Sequence, residues 1–147
     1  MEQDLEKLLM KAIIESRALQ LLYHNCHLLA YGQDFISIHS FLGDNYGRLE
    51  SDFDSLSEYF IASIGPSSYD TIMIQEMLHE VLERYKVEQY TVVEMLQTLV
   101  MLESQYKYTI FSINQTAFDI GLQNLLGDVA QAQNTRLYKL NQILRVK

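Results

Sequence analysis

The feature that most restricts how this chain can fold is the spacing of its apolar residues, which recur every three or four positions along nearly its whole length. Leu5, Leu8, Leu9, Ile13, Ala18, Leu21 and Leu22 make such a stripe, the pattern of a helix with one face turned to a core. It predicts a helix from about Asp4 to about Ala30, with Gly32 as a stop. A second helical segment, about Asp34 to Ile64, carries Phe35, Ile38, Phe41, Leu42, Leu49, Phe53, Leu56 and Phe60. Gly43 and Gly47 fall inside it and predict a local weakening or kink.

Gly65-Pro66-Ser67-Ser68 breaks the chain firmly. Beyond it, a shorter amphipathic stretch from about Tyr69 to Tyr85 reads as a connecting helix, and a long one from about Glu88 to Asp119 follows, with Gly121 at its end. The last segment runs from about Leu122 to Leu144; Arg136, Lys139, Arg145 and Lys147 sit toward its end, where positive charge complements the helix dipole. Four long helices with a short one in the middle connection predict a single all-α domain over residues 1–147, a four-helix bundle with one long crossover. That crossover is the arrangement of ferritin-like folds.

At 147 residues with 48% apolar content the chain can bury a sizeable core. No apolar run approaches the roughly 18–20 residues that a membrane span needs, and the opening MEQDLEKLLM is acidic where an export signal would be basic. The single cysteine, Cys26, cannot form an internal disulfide and suits a reducing compartment, so a cytoplasmic location is expected. A formal charge of −8 argues against a general nucleic-acid binder, whose affinity depends on Lys and Arg at phosphates.

The chemistry concentrates between Tyr23 and Gly65, which hold three of the four histidines. Asp54 and Glu58 are four residues apart, so they share a helix face and can act on one ion together. Imidazole nitrogen with carboxylate oxygen suits iron, zinc or manganese. His39 and Asp54 are fifteen positions apart on one predicted helix, about 22 Å at α-helical rise. If His27, His39, Asp54 and Glu58 serve one metal site, the histidines must come from one subunit and the carboxylates from another. A two-fold axis would then generate two equivalent sites.

At these residues the sequence resembles the Dps miniferritins (DNA-binding proteins from starved cells). The spacing of His27, His39, Asp54 and Glu58 is similar to the ferroxidase motif of that family. So are Tyr23-His24, Gly32, Phe35, Ile38, Phe41, Tyr46, Ile64-Gly65 and the later Asp119-Ile120-Gly121 with Asn124-Leu125-Leu126. The resemblance implies a ferritin-like shell, a dodecamer that binds Fe(II) at two-fold interfaces. It also implies oxidation of that iron with hydrogen peroxide or oxygen, storage of ferric mineral, and protection against oxidative damage. By position, His27 and His39 would bind iron from one subunit and Asp54 and Glu58 from its neighbour, about two irons per site.

The sequence departs from the family at several places. Leu28 follows His27 where tryptophan is usual, Tyr138 stands near another common tryptophan, Tyr59 replaces an arginine, and Asn124 replaces an acidic residue of the iron-entry pore. Those changes weaken the expectation of radical trapping, which leaves Tyr23, Tyr31 and Tyr46 as substitutes, and leave Asp119 and Asp128 for entry. The chain lacks the lysine-rich tail of DNA-binding members, and twelve subunits at −8 give −96, so DNA retention is not expected. The rival class is a non-enzymatic shell with weak or different metal binding. A ferritin-type di-iron site inside one subunit would use Glu76 and His79, but only one such Glu-x-x-His step occurs. His24 reads equally as a support for His27 or a plain surface residue, Cys26 as a packed side chain, and Asp44, Glu50 and Asp52 as solvated helix charge.

Overall fold

The structure, a computed structural model, describes residues 2–145, with side chains from residue 4 onward. Lys147, one of the four cations expected near the end of the last helix, lies outside the described residues. Helix α1 spans Glu2–Leu29, α2 Phe35–Ser63, α3 Thr71–Arg84, α4 Val92–Thr116 and α5 Ile120–Leu144. Among the described residues there is no strand. The all-α architecture with a short helix in the long middle connection is the one the periodicity predicts.

The boundaries follow local chemistry. Gly32, at φ +100°, turns the chain between α1 and α2 in a conformation that L side chains rarely adopt. Gly65 does the same at φ +118°, after which Pro66–Ser68 forms a single 3-10 turn. Asp70 caps α3 by accepting from the Ile72 N–H at 2.9 Å, and Thr91 caps α4 by accepting from Glu94. Helix α4 therefore starts at Val92, four residues later than Glu88. Gly121 is not a terminator. It lies inside the first turn of α5, where its N–H and that of Leu122 are held by the Asp119 carboxylate. The expected kink at Gly43 and Gly47 does not interrupt α2, which runs as one helix of 29 residues.

Helix α1 packs on α2, α4 and α3, while α5 closes the bundle against α4 and α2. Ile13, Leu19, Leu49, Leu56, Phe60, Leu99, Leu102, Ile113, Leu122, Val129 and Leu140 fill the centre, each adding roughly 1.5–3 kcal/mol by leaving water. The helical stripes read from sequence thus mostly face the core, although Leu21 and Phe35 of those stripes are exposed. Among the described residues no helix is long and apolar enough to cross a membrane.

Two charged residues defy the simple reading. Arg136 does not act as free charge near the end of α5: it is 1% exposed and clasps Glu103 of α4, itself fully buried. Asp52 is not solvated either. It is 3% exposed and bonded to Arg48 at 3.0 Å, and Arg48 reaches on to Asp128 of α5 at 2.7 Å. Asp44 and Glu50 are exposed as expected.

Candidate metal half-site

The short link between α1 and α2 forces the two helices side by side, which brings His27 near the end of one against His39 in the second turn of the other. Their rings stack with centroids 3.6 Å apart and planes 20° from parallel. The Nδ1 of His27 lies 2.7 Å from the main-chain oxygen of His39, and the Nδ1 of His39 lies 2.8 Å from the oxygen of His27. A carbonyl can only accept, so each Nδ1 carries the proton and donates. In a neutral ring held this way Nε2 keeps its lone pair, the form in which imidazole binds a metal. The His27 carbonyl is also one of those a helix C-terminus leaves without a helical partner, so His39 closes the end of α1 while being oriented by it.

Gly43 makes room for this arrangement. A Cβ there would lie 3.0 Å from His27 Cε1 and 3.1 Å from Nδ1, tighter than ordinary packing allows. The glycine read from sequence as a weak point in α2 is thus the wall of the slot that holds His27. Tyr46 meets the His27 ring edge-on at 5.4 Å, Phe35 lies 4.8 Å from His39, and His24 rests on Tyr46 at 4.4 Å. His24 is exposed, 6.3 Å from His27 between ring centroids.

Asp54 and Glu58 are both exposed on α2. Because α2 is unbroken, His39 and Asp54 stand about 22 Å apart along it. Within one chain the histidines come together and the carboxylates do not join them. Among the described residues no three His, Cys, Asp or Glu side chains gather closely enough to hold a metal ion. Glu76 and His79 both lie exposed on α3, where His79 faces Glu83 at 4.0 Å, so they do not enter the bundle interior.

The remaining singled-out residues have plain surroundings. Cys26 is buried, and burial pushes its thiol up to about 12, so it stays protonated at neutral pH and behaves as a packed side chain. Tyr59 donates to Asp119 at 2.9 Å; this bond and the Gly121 N–H hold the Asp119 carboxyl below its ordinary range. Leu28 and Tyr138 are about two-thirds exposed, and Tyr31 and Asn124 are exposed.

Sequence reasoning missed a buried polar cluster directly behind the histidines. Tyr23, one turn before His27 on α1, donates to Glu103 at 2.9 Å. Arg136 grips both oxygens of that carboxylate, and Gln133 donates to Oε2 at 3.1 Å. The available signal was the position of these residues: Glu103 lies seven residues from Leu96 and from Ile110, and Arg136 seven from Val129, on the apolar stripes.

The sequence matches the ferritin-like domain family (Ferritin) over residues 6–146. No curated protein matches it significantly. Its fold is similar to that of a mutant of Mycobacterium smegmatis Dps1, at TM-score 0.76 and 20% identity, covering 97% of this chain and 96% of that one. It is similar too to the tetragonal form of Mycobacterium smegmatis Dps, at TM-score 0.80 and 20% identity, with 98% and 87% covered. Dps from Thermosynechococcus elongatus matches at TM-score 0.79 and 17% identity, covering 99% and 93%. The match spans almost all of the sequence, so the chain belongs to the ferritin-like domain family, and its bundle is the Dps form of that fold.

Proposed function

We propose that this protein is an iron-storing miniferritin that oxidises Fe(II), with hydrogen peroxide as the preferred oxidant, at sites shared between two subunits of a dodecameric shell. The observation that carries this reading is the His27–His39 pair, in which each Nδ1–H is held by the other residue's carbonyl and each Nε2 is kept for a ligand. Two imidazoles alone make a poor iron site. Asp54 and Glu58, exposed and one helical turn apart, supply the hard oxygen ligands from the neighbouring subunit. Leu28, Tyr31, Phe35 and Ile36 surround the histidine pair in sequence and expose apolar surface, which suits a face that a second copy covers.

The residues would then divide the work simply. Imidazoles hold Fe(II), and the carboxylates favour Fe(III) over Fe(II), which makes the bound ion easier to oxidise. Two irons at one interface supply both electrons that peroxide takes up, giving two Fe(III) and two hydroxide ions, so no hydroxyl radical need be released. Ferric product passes to the shell interior as mineral, which limits oxidative damage.

Stopped-flow iron oxidation tests this with two variants, His27→Ala and Asp54→Ala, measured separately and after co-assembly. Each alone should lose most activity. Mixed at equal amounts, roughly one quarter of the sites are restored, one at each interface that pairs the two variants, because histidines and carboxylates come from different chains. No recovery on mixing would exclude shared sites. Wild-type oxidation no faster than that of a His27→Ala/Asp54→Ala double variant would favour the rival reading, a ferritin-like shell without ferroxidase activity.

A further inference from the structure

We infer that Tyr23 is a positioning residue for the histidine half-site, acting by locking the rotation of α1 through its hydrogen bond to the buried Glu103–Arg136 pair. This rests on the reading that His27 binds metal. Three observations support it. Tyr23 and His27 are four residues apart, so they stand one above the other on the same face of α1. The Tyr23 hydroxyl is tied to α4 at 2.9 Å, through a carboxylate that α5 holds with Arg136 and Gln133. The Tyr23 ring meets Phe41 edge-on, centroids 6.4 Å apart, and Phe41 lies midway between His39 and Gly43 on α2.

The slot around His27 makes this tether consequential. On one side a methyl group at Gly43 would press on the ring at 3.0 Å; on another the ring is stacked on His39. A small roll of α1 about its axis would either press His27 into α2 or lengthen both reciprocal Nδ1–H bonds to the carbonyls. Tyr23 is fully buried, and its hydroxyl is the one side-chain hydrogen bond that joins this turn of α1 to the opposite half of the bundle among the described residues. Losing it frees rotation where the half-site tolerates little.

Tyr106 supplies the control. It too is a fully buried tyrosine, on the same helix as Glu103, but its hydroxyl has no hydrogen-bond partner among the described residues. Tyr23→Phe and Tyr106→Phe therefore delete the same atom at equal burial, and only the first cuts the tether. The test uses the assembled full-length protein and Co(II) as probe, followed by its visible d–d absorption and by calorimetry. Tyr23→Phe should weaken Co(II) binding about tenfold, at the lower end of what loss of a ligand's supporting bond costs. It should also change the Co(II) spectrum, whereas Tyr106→Phe should leave both unchanged.

A second readout needs no metal. Nitrogen-15 NMR of labelled histidine should show His27 as the Nδ1–H tautomer in the natural protein and a mixture in Tyr23→Phe. Co(II) affinity within twofold of the natural protein, with an unchanged tautomer, would overturn the inference. Failure of the natural protein itself to bind Co(II) at His27 would instead overturn the functional reading, and the tautomer would still decide whether Tyr23 positions the ring. Equal losses in the two tyrosine variants would reduce the effect to general core loosening and would also overturn it.

Discussion

Two of the places where polar side chains gather in this bundle lie one turn of α1 apart, and these two are built on opposite principles. Around Glu103 the groups are fully buried and nearly satisfied by one another: Tyr23, Gln133 and Arg136 all donate to one carboxylate. Around His27 and His39 only half of each ring is satisfied, leaving Nε2 free. A closed cluster spends its hydrogen-bonding capacity on tying helices together, whereas an open one keeps capacity for a ligand. The contrast separates stability from function by geometry, and each change below tests on which side of that line a residue falls.

The largest effect is expected in the closed cluster. Glu103→Ala leaves the Arg136 guanidinium buried without its counter-charge, and the loss of one partner of such a pair costs about 3–5 kcal/mol. Denaturant unfolding monitored by circular dichroism should show this loss, or the variant should fail to assemble. The mirror experiment is His27→Ala at the open cluster, which should abolish iron oxidation while changing the unfolding midpoint far less. Comparable destabilisation by both changes would erase the distinction between the two clusters.

Asp52 should give a pH-dependent effect. It lies on the closed side of the line, yet incompletely so, because its Oδ2 has no partner among the described residues. Burial pushes its carboxyl up to about 6 against the pull of Arg48. The folded state therefore binds this proton more tightly than the unfolded chain, whose value is near 3.8. The corresponding stability is fully present below that unfolded value and is lost as pH rises through about 6. A displacement of about two units amounts to roughly 2–3 kcal/mol at most. Asp52→Asn cannot ionise, so its stability relative to the natural protein should rise from pH 4 to pH 7 in parallel unfolding series. A constant difference across that range would mean that Arg48 holds Asp52 ionised throughout.

Gly43→Ala separates the two roles within one residue. Alanine in a helix interior is favoured over glycine by roughly 0.5–1 kcal/mol, so the bundle should be as stable as before or more so. At the same time the new Cβ meets His27 Cε1 at 3.0 Å and must displace the ring by a few tenths of an ångström. Metal affinity measured by calorimetry should fall about tenfold, with the opposite sign to stability. Unchanged affinity would show that the His27 slot has slack.

How much of this was legible in the sequence depended on whether a residue acts by pattern or by partner. The helices were legible because apolar periodicity is a property of the chain alone, and α1, α2 and α3 fall within two residues of their predicted limits. The start of α5 was displaced because Gly121 reads as a stop, while Asp119 two residues earlier is the cap that organises the turn. His27 and His39 were legible as candidates from their type and spacing. Their mutual carbonyl bonds were not, since they arise only when α1 and α2 cross. Arg136 misled for a related reason: positive charge late in a helix suits the dipole, but its position on the Val129–Leu140 stripe turns it inward to Glu103. Gly43 carried the wrong sign, read as a defect in α2 when it is the clearance for a ring from α1.

The smallest effect is expected at Tyr59, and it bears on the line between the two classes because Tyr59 sits one residue from Glu58. Its hydroxyl donates to Asp119, the cap of α5, so by contacts it belongs with the closed cluster although it is only half-buried. The bond helps hold the Asp119 carboxyl below its ordinary range, so its contribution is present at neutral pH and fades as acid protonates Asp119. Tyr59→Phe should therefore lower the melting temperature only slightly at pH 7, and the difference should shrink as pH falls below about 3.8. Solvent screens such exposed contacts strongly, and Asp119 keeps its bonds to Gly121 and Leu122. Iron oxidation should be unaffected, since the ring of Phe fills the same space beside Glu58. A marked loss of oxidation in Tyr59→Phe with unchanged melting would move this residue across the line, making its hydroxyl part of the metal site rather than of the helix cap.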